Sequence, residues 1–125
     1  MNSLHFSKDD RLCSSRRIET LFSEGKRLYE FPFQVIWQQD DTLQSTVKAA
    51  IIVPKKKLSK ASQRNHIKRL VREAYRKQNI FLVEKLLQEN KSINLILVYT
   101  LPSILSFNDI ENKISVTLQR LADEV

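Results

Sequence analysis

Two histidines, His5 and His66, are the side chains in this sequence that could shuttle a proton in general acid–base cleavage of a phosphodiester. Asp9-Asp10 and Asp40-Asp41 carry the oxygens a metal ion would need, and Ser14, Ser15 and Cys13 are the nucleophile types. None of these builds a catalytic set. His5 lies in a polar stretch, Met1–Asp10, that is expected to be mobile. Adjacent acids in a turn are ordinarily just solvated, the serines read as a helix cap, and Cys13 reads as a small packing residue. The one glycine, Gly25, leaves no material for a glycine-rich phosphate loop.

Charge is where the sequence speaks. Segment 55–77, KKKLSKASQRNHIKRLVREAYRK, holds ten Lys and Arg against a single acid, Glu73. The whole chain is only +7, so the other 102 residues, with 11 bases and 13 acids, are close to neutral. Arg64, Lys68, Arg72 and Arg76 are spaced by four, which predicts a ridge along a helix that drifts about 40° per step, flanked by Arg69. Lys55, Lys56, Lys57 and Lys60 cluster just before it, and Asn65 adds an amide able to reach phosphate, ribose or a base edge. Forked guanidinium donors and point-charge ammonium groups at this spacing suit consecutive phosphates. A solvated helix face normally intersperses acids for pairing, and here only Glu73 does so. The pattern therefore points to a polyanion, with nucleic acid first. Charge alone does not separate RNA from DNA. A membrane surface fits worse, because the apolar face of this helix is needed for the core.

The positioning elements follow from periodicity. Ser14-Ser15 caps a short helix over about 16–24, with Ile18, Leu21 and Phe22 at i, i+3, i+4 and Gly25 as its stop. Residues 31–37 alternate, with Phe31, Phe33, Val35 and Trp37 on one face and Gln34, Ile36 and Gln38 on the other. Asp40-Asp41 reads as a turn, and Val47–Val53 as a strand ended by Pro54. One further strand is allowed for, in a bent or split hairpin. In the basic helix Ile67, Leu70, Val71, Ala74 and Tyr75 form the buried stripe, expected opposite the cationic ridge. The helical pattern runs on through Phe81, Leu82, Leu86 and Leu87 with a break near Asn79. Ile93–Thr100 is a continuous apolar, central strand. Ser106 and Asp109 cap a last amphipathic helix over 108–122, with Ile110, Ile114, Leu118 and Leu121 inward. The expected architecture is α+β, a two-layer sandwich of one small sheet with helices packed on it.

At 125 residues the chain is expected to be a single domain, 1–125. No apolar run approaches the ~20 residues that cross a bilayer, and the N-terminus lacks the apolar stretch of a secretory signal. One cysteine excludes an internal disulfide. A cytoplasmic location is the expectation.

The stretch from Arg64 to Arg76 also resembles the signature of the bacterial ribonuclease P protein family. That signature is an RNR triplet followed by x-K-R-x-x-R-E-x-x-R, with a Lys-Lys pair about ten residues upstream. Lys55-Lys56 match the pair, and Ala61 matches the small residue before the triplet. Arg11-Leu12 with Ile18 and Phe22 fit the family's N-terminal motif, while Ala49–Val53 and Asn94–Thr100 fit the strands on either side of the basic helix. The resemblance implies a four-stranded sheet, three helices and a left-handed β-α-β crossover. It implies a subunit that assists RNA-catalysed, Mg2+-dependent removal of the 5′ leader from precursor tRNA, the Mg2+ being held mainly by the RNA subunit and none by the protein alone. Lys55, Lys56, Lys57, Lys60, Arg64, Asn65, His66, Lys68, Arg69, Arg72 and Arg76 would meet the RNA subunit, one chain per RNA. Arg11, Arg16, Arg17, Ile18, Phe22, Gln34 and Ile36 would meet the leader. The sequence departs from the pattern at His66, where the family has Arg, and at Ile18, where it favours Phe. The competing readings are a non-catalytic RNA-binding module, such as a ribosomal accessory protein, and a self-sufficient basic nuclease.

Overall fold

The computed structural model describes residues 11–12, 14–42 and 45–125. His5, Asp9, Asp10 and Cys13 lie outside them. The elements in order are α1 (Ser15–Glu24), β1 (Lys26–Glu30), β2 (Phe33–Gln39), β3 (Val47–Ile52), α2 (Ala61–Gln78), α3 (Ile80–Gln88), β4 (Ile93–Tyr99) and α4 (Phe107–Glu124). The four strands form one mixed sheet in the order β1-β2-β4-β3, with β3 and β4 parallel and the other neighbours antiparallel. Every residue of β4 is buried, as its continuous apolar run predicts for a central strand covered on both faces.

Alternation along the strands sorts the side chains onto two faces. Phe33, Val35, Trp37, Leu95, Leu97 and Tyr99 point into the larger core, which α2, α3 and α4 complete with Ile67, Val71, Leu82, Ile114 and Leu118. The buried Tyr99 hydroxyl is satisfied: it donates to Ser103 O (2.7 Å) and accepts from Leu105 N (3.3 Å), and burial pushes this phenol above its ordinary pKa. Ile36, Ile96 and Val98 point the other way, where Leu21 of α1 and Leu12 cover them.

The hand of the β3-to-β4 connection follows from one bond. Ile93, with its side chain toward the helical layer, donates its N–H to Thr46 O (3.0 Å). For an L-residue this sets β3 to the right of β4, as seen from that layer with both strands pointing up. The chain therefore rises along β3, crosses in front through α2 and α3, and enters β4 on the left. The crossover is left-handed, the rare hand for such a unit.

Three expectations need correction. The described residues contain four helices and not three, because Asn79 divides the long helical pattern into α2 and α3. The hairpin's first strand is β1, and Phe31 is not on the core face: it sits in the turn with a cis bond to Pro32 and is 48% exposed. Only Leu28 of β1 is apolar and buried, so periodicity had little to register there. The cationic ridge does not lie opposite the buried stripe. Arg64, Lys68, Arg72 and Arg76 are all half-buried along its flank.

α1 is capped by Ser14 and pinned to the sheet at two places. Ser14 Oγ accepts from Arg17 N (3.3 Å), Leu21 is fully buried on Ile36 and Ile96, and Arg17 reaches across to pair with Asp40. Asp40 also accepts from Thr42 Oγ1, from Thr42 N (3.0 Å) and from Asn94 Nδ2 (3.2 Å). The Thr42 hydroxyl is the largest of the influences that hold this carboxyl below its ordinary range, with Asn94 and Arg17 adding to it against the opposing effect of burial. A depressed folded-state pKa stabilises the fold above the usual carboxylate value of about 4 and loses that contribution as the pH falls through the folded value. Asp40→Asn should therefore cost about 1 kcal/mol at neutral pH and progressively less toward pH 3, a convergence that urea titrations at the two pH values would reveal. A gap of equal size at both would show that the carboxylate's charge is not involved.

Candidate nucleic-acid interface

The loop that carries the lysines is held from three directions. Pro54 O accepts from Lys57 N (3.0 Å) and Leu58 N (3.2 Å), closing a turn that holds Lys55, Lys56 and Lys57 exposed. Leu58 is 5% exposed and plugs the turn into the core. The guanidinium of Arg64, one turn into α2, folds back and donates from Nη1 to Leu58 O (2.9 Å) and Ser59 O (2.7 Å). Arg64 thus clasps the loop, a task distinct from the phosphate contact its spacing suggested.

α2 starts with no side-chain cap and no acid in its first turn. The positive end of its dipole is therefore uncompensated and adjoins the loop lysines, which favours an anion there. Further along, Ser62, Asn65, His66, Lys68, Arg69 and Arg72 line a shallow open groove of about 500 Å³. Arg69 Nη2 lies 3.2 Å from His66 Nδ1. A guanidinium can only donate, so that ring nitrogen accepts, and the imidazole, which stands where the family motif has the second Arg of its triplet, orients Arg69. Arg76 is bound to Glu73 (2.5 Å), which raises the arginine's pKa and lowers that of the acid; its charge is locally neutralised.

Most cations elsewhere are occupied. Arg17 pairs with Asp40, Lys91 with Glu89 and Arg120 with Glu30; Arg27 donates to Phe22 O, Lys85 to Ala122 O, and Lys113 lies over the Phe31 ring. Lys55, Lys56, Lys57, Lys60, Lys68 and Arg72, by contrast, take part in none of the ion pairs among the described residues. Like charges held together without counter-ions repel one another, so the arrangement gains from an external polyanion.

A second concavity, of about 270 Å³, adjoins the first. Its floor is Ala50 and Ile52 of β3, and Ile18 of α1 forms one wall. Arg11, bridged to Ala49 as a parallel extension of the sheet, and Arg72 stand at its mouth. Arg72 lines both concavities. Phe22, one helical turn after Ile18, is on the same flank of α1 and 39% exposed. Beyond Ile52 the same face of the sheet continues through Val98 to the half-buried Gln34.

The seven residues proposed for this cleft divide accordingly. Arg11 and Ile18 line it, and Phe22 and Gln34 border it. Arg16 is exposed on α1, and Arg17 is turned to the far flank, in its pair with Asp40. Ile36 is a correction: it is fully buried beneath Leu21 and Gly25, so no ligand on the surface can touch it. Leu12, Ala50 and Ile52, which also line the cleft, were missed. The alternation of β3 puts Ala50 and Ile52 on one face and would have found those two.

A family model described as Ribonuclease P matches residues 6–122. A ribonuclease P protein component from Porphyromonas gingivalis is 33% identical over 121 residues, covering 95% of this chain and 88% of the relative. One from Thermotoga petrophila is 38% identical over 72 residues, covering 58% of this chain and 59% of the relative. Among solved structures, the RNase P protein from Thermotoga maritima superimposes with a TM-score of 0.69 at 26% identity, covering 88% of this chain and 96% of that one. The RNase P protein from Staphylococcus aureus shares the fold with a TM-score of 0.70 at 18% identity, covering 90% and 94%. On the match across nearly its whole length, this chain belongs to the ribonuclease P protein component family.

Proposed function

We propose that this chain is the protein subunit of ribonuclease P, binding the catalytic RNA subunit through α2 and the loop before it and taking the 5′ leader of precursor tRNA in the cleft under α1. The observation that carries the reading is the sharing of Arg72 between a cationic groove and an apolar cleft. A structured RNA on α2 and a single strand leaving it can be held at once by such a junction. The groove suits duplex phosphates, which need charge. The cleft suits unpaired bases, which need apolar and aromatic surface.

Mg2+ bound to the RNA would supply the Lewis acid and the activated water of phosphodiester hydrolysis. The residues of the groove do not fit that ion as ligands, since cationic side chains repel it. What the chain contributes is neutralisation of phosphates, which lowers the Mg2+ concentration that the folded RNA requires, and a grip on the leader, which sets precursor apart from mature tRNA.

Reconstitution with the cognate RNA subunit at low Mg2+ tests this. The protein should stimulate cleavage of precursor tRNA and be inert alone. The pair Lys68→Ala and Arg72→Ala should lower the slope of log affinity against log salt by about 2, at roughly 0.9 per lost phosphate contact. Cleavage by the isolated protein, or an unchanged slope, would overturn the proposal.

A further inference from the structure

The sheet face beside α1 does not end at Gln34. β1 pairs with β2 so that Tyr29 stands directly opposite Gln34, and Gln34 in turn opposite Val98, which is opposite Ile52. Leu28 points into the larger core, so its neighbour Tyr29 points to the α1 side. The row Ile52, Val98, Gln34, Tyr29 thus crosses all four strands along the open flank of α1.

A lone exposed tyrosine on an edge strand needs no explanation. Tyr29 differs because its backbone is held and its hydroxyl lies near Thr100 while the ring stays open. Its carbonyl accepts from Arg120 Nη1 (3.0 Å), and Arg120 is held in turn by Glu30 (3.0 Å). Its hydroxyl lies 3.5 Å from Thr100 Oγ1, which itself donates to Pro32 O (2.6 Å). Between these anchors the residue is 54% exposed. The half-buried Gln34 opposite it has no partner for its side-chain amide among the hydrogen bonds of the described residues. An exposed aromatic plane beside an unengaged amide is what a nucleobase requires, one group to stack on and one to pair with its edge.

We propose that Tyr29 and Gln34 form a nucleobase subsite at the β1 end of the cleft, which takes one unpaired base of the leader upstream of the cleavage point. This rests on the leader reading given above. Polarity follows from Arg72. The body of the precursor lies on the α2 side, so the leader enters at β3 and runs toward β1, and Tyr29 meets a nucleotide remote from the scissile bond. Three interstrand steps of about 4.8 Å make the path from Ile52 to Tyr29 about 14 Å. Stacked nucleotides at about 3.4 Å each cover it in about four, and an extended strand in fewer.

The test uses the holoenzyme, reconstituted with the cognate RNA subunit, and precursors whose leader is lengthened one nucleotide at a time. Wild-type affinity should rise by about tenfold at the length that reaches Tyr29, the scale of one stacked base. Tyr29→Ala should abolish that step and Tyr29→Phe should keep it, while Gln34→Ala should keep most of the step and lose base preference at that nucleotide. An abasic leader nucleotide at the threshold should remove the step in the wild type without any mutation, so the result does not depend on the variants folding. A step that survives both Tyr29→Ala and the abasic nucleotide would overturn the subsite and leave the leader cleft standing. A wild-type affinity independent of leader length would overturn the leader reading itself.

Discussion

Arg64→Ala should weaken binding of the RNA subunit by ten- to a hundred-fold near physiological salt, and the slope of log affinity against log salt should fall by 2 or more, against about 1 for Lys68→Ala. The difference arises because Arg64 acts on other residues. Its guanidinium holds Leu58 O and Ser59 O at 2.9 and 2.7 Å, and those carbonyls lie between Lys57 and Lys60. Without it two carbonyls lose their donor, and the segment carrying four ammonium groups is held by the Pro54 turn, the Leu58 plug and the bonds of Lys60 O to the start of α2. Lysines that must first be ordered contribute less to binding, since their ordering entropy is charged against each contact. Arg64→Lys separates the two roles. It retains the charge but not the planar fork that reaches two acceptors, so it should recover less than half of the lost slope. Full rescue by lysine, with a slope change near 1 in the alanine variant, would reduce Arg64 to an ordinary phosphate contact. Faster amide exchange at Lys57 and Leu58 in the free alanine variant would show the loop loosening directly.

That dual use also explains why the sequence was legible where it was. Spacing identifies which residues share a helix face, and it placed Ile67, Val71, Ala74 and Tyr75 in the core correctly. It does not say which neighbour a long side chain reaches, so Arg64, Arg76 and Arg17 all looked like free cations, while one clasps carbonyls and two pair with acids. Strand alternation put Ile36 on the face away from Trp37, which is right. Whether that face was open or covered depended on where α1 came to rest, a tertiary fact. β1 escaped because its pattern of two cations, Leu28, Tyr29 and Glu30 has a single core residue, and its place in the sheet is fixed by pairing with β2 and by Arg120. The left-handed crossover was open only to resemblance, since the general rule for such units gives the other hand.

Gly25→Ala offers the sharpest check on how α1 is seated. The glycine reads as a helix stop, yet its φ of −69° and ψ of 155° suit any residue. On conformational grounds alone, alanine there should stabilise the protein by about 0.4–1 kcal/mol by restricting the unfolded chain. Packing argues the reverse. A Cβ would lie 2.6 Å from Leu21 O, 2.7 Å from Ile36 Cγ2 and 3.2 Å from Trp37 O. Two of the three are backbone oxygens, and Leu21 O already accepts the N–H of residue 25 at 2.8 Å, so neither can yield without lifting the end of α1 from the sheet. Overpacking of this kind costs about 1–3 kcal/mol and outweighs the entropic gain, so the melting temperature should fall by roughly 5–10 °C. Because α1 forms the wall of the cleft with Ile18 and Phe22, its displacement should also weaken precursor tRNA relative to mature tRNA. The groove on α2, across the sheet, should keep its affinity for the RNA subunit. A rise in melting temperature would mean that α1 does not rest on Ile36 as described, and a matched loss for precursor and mature tRNA would mean that α1 is not the leader's wall.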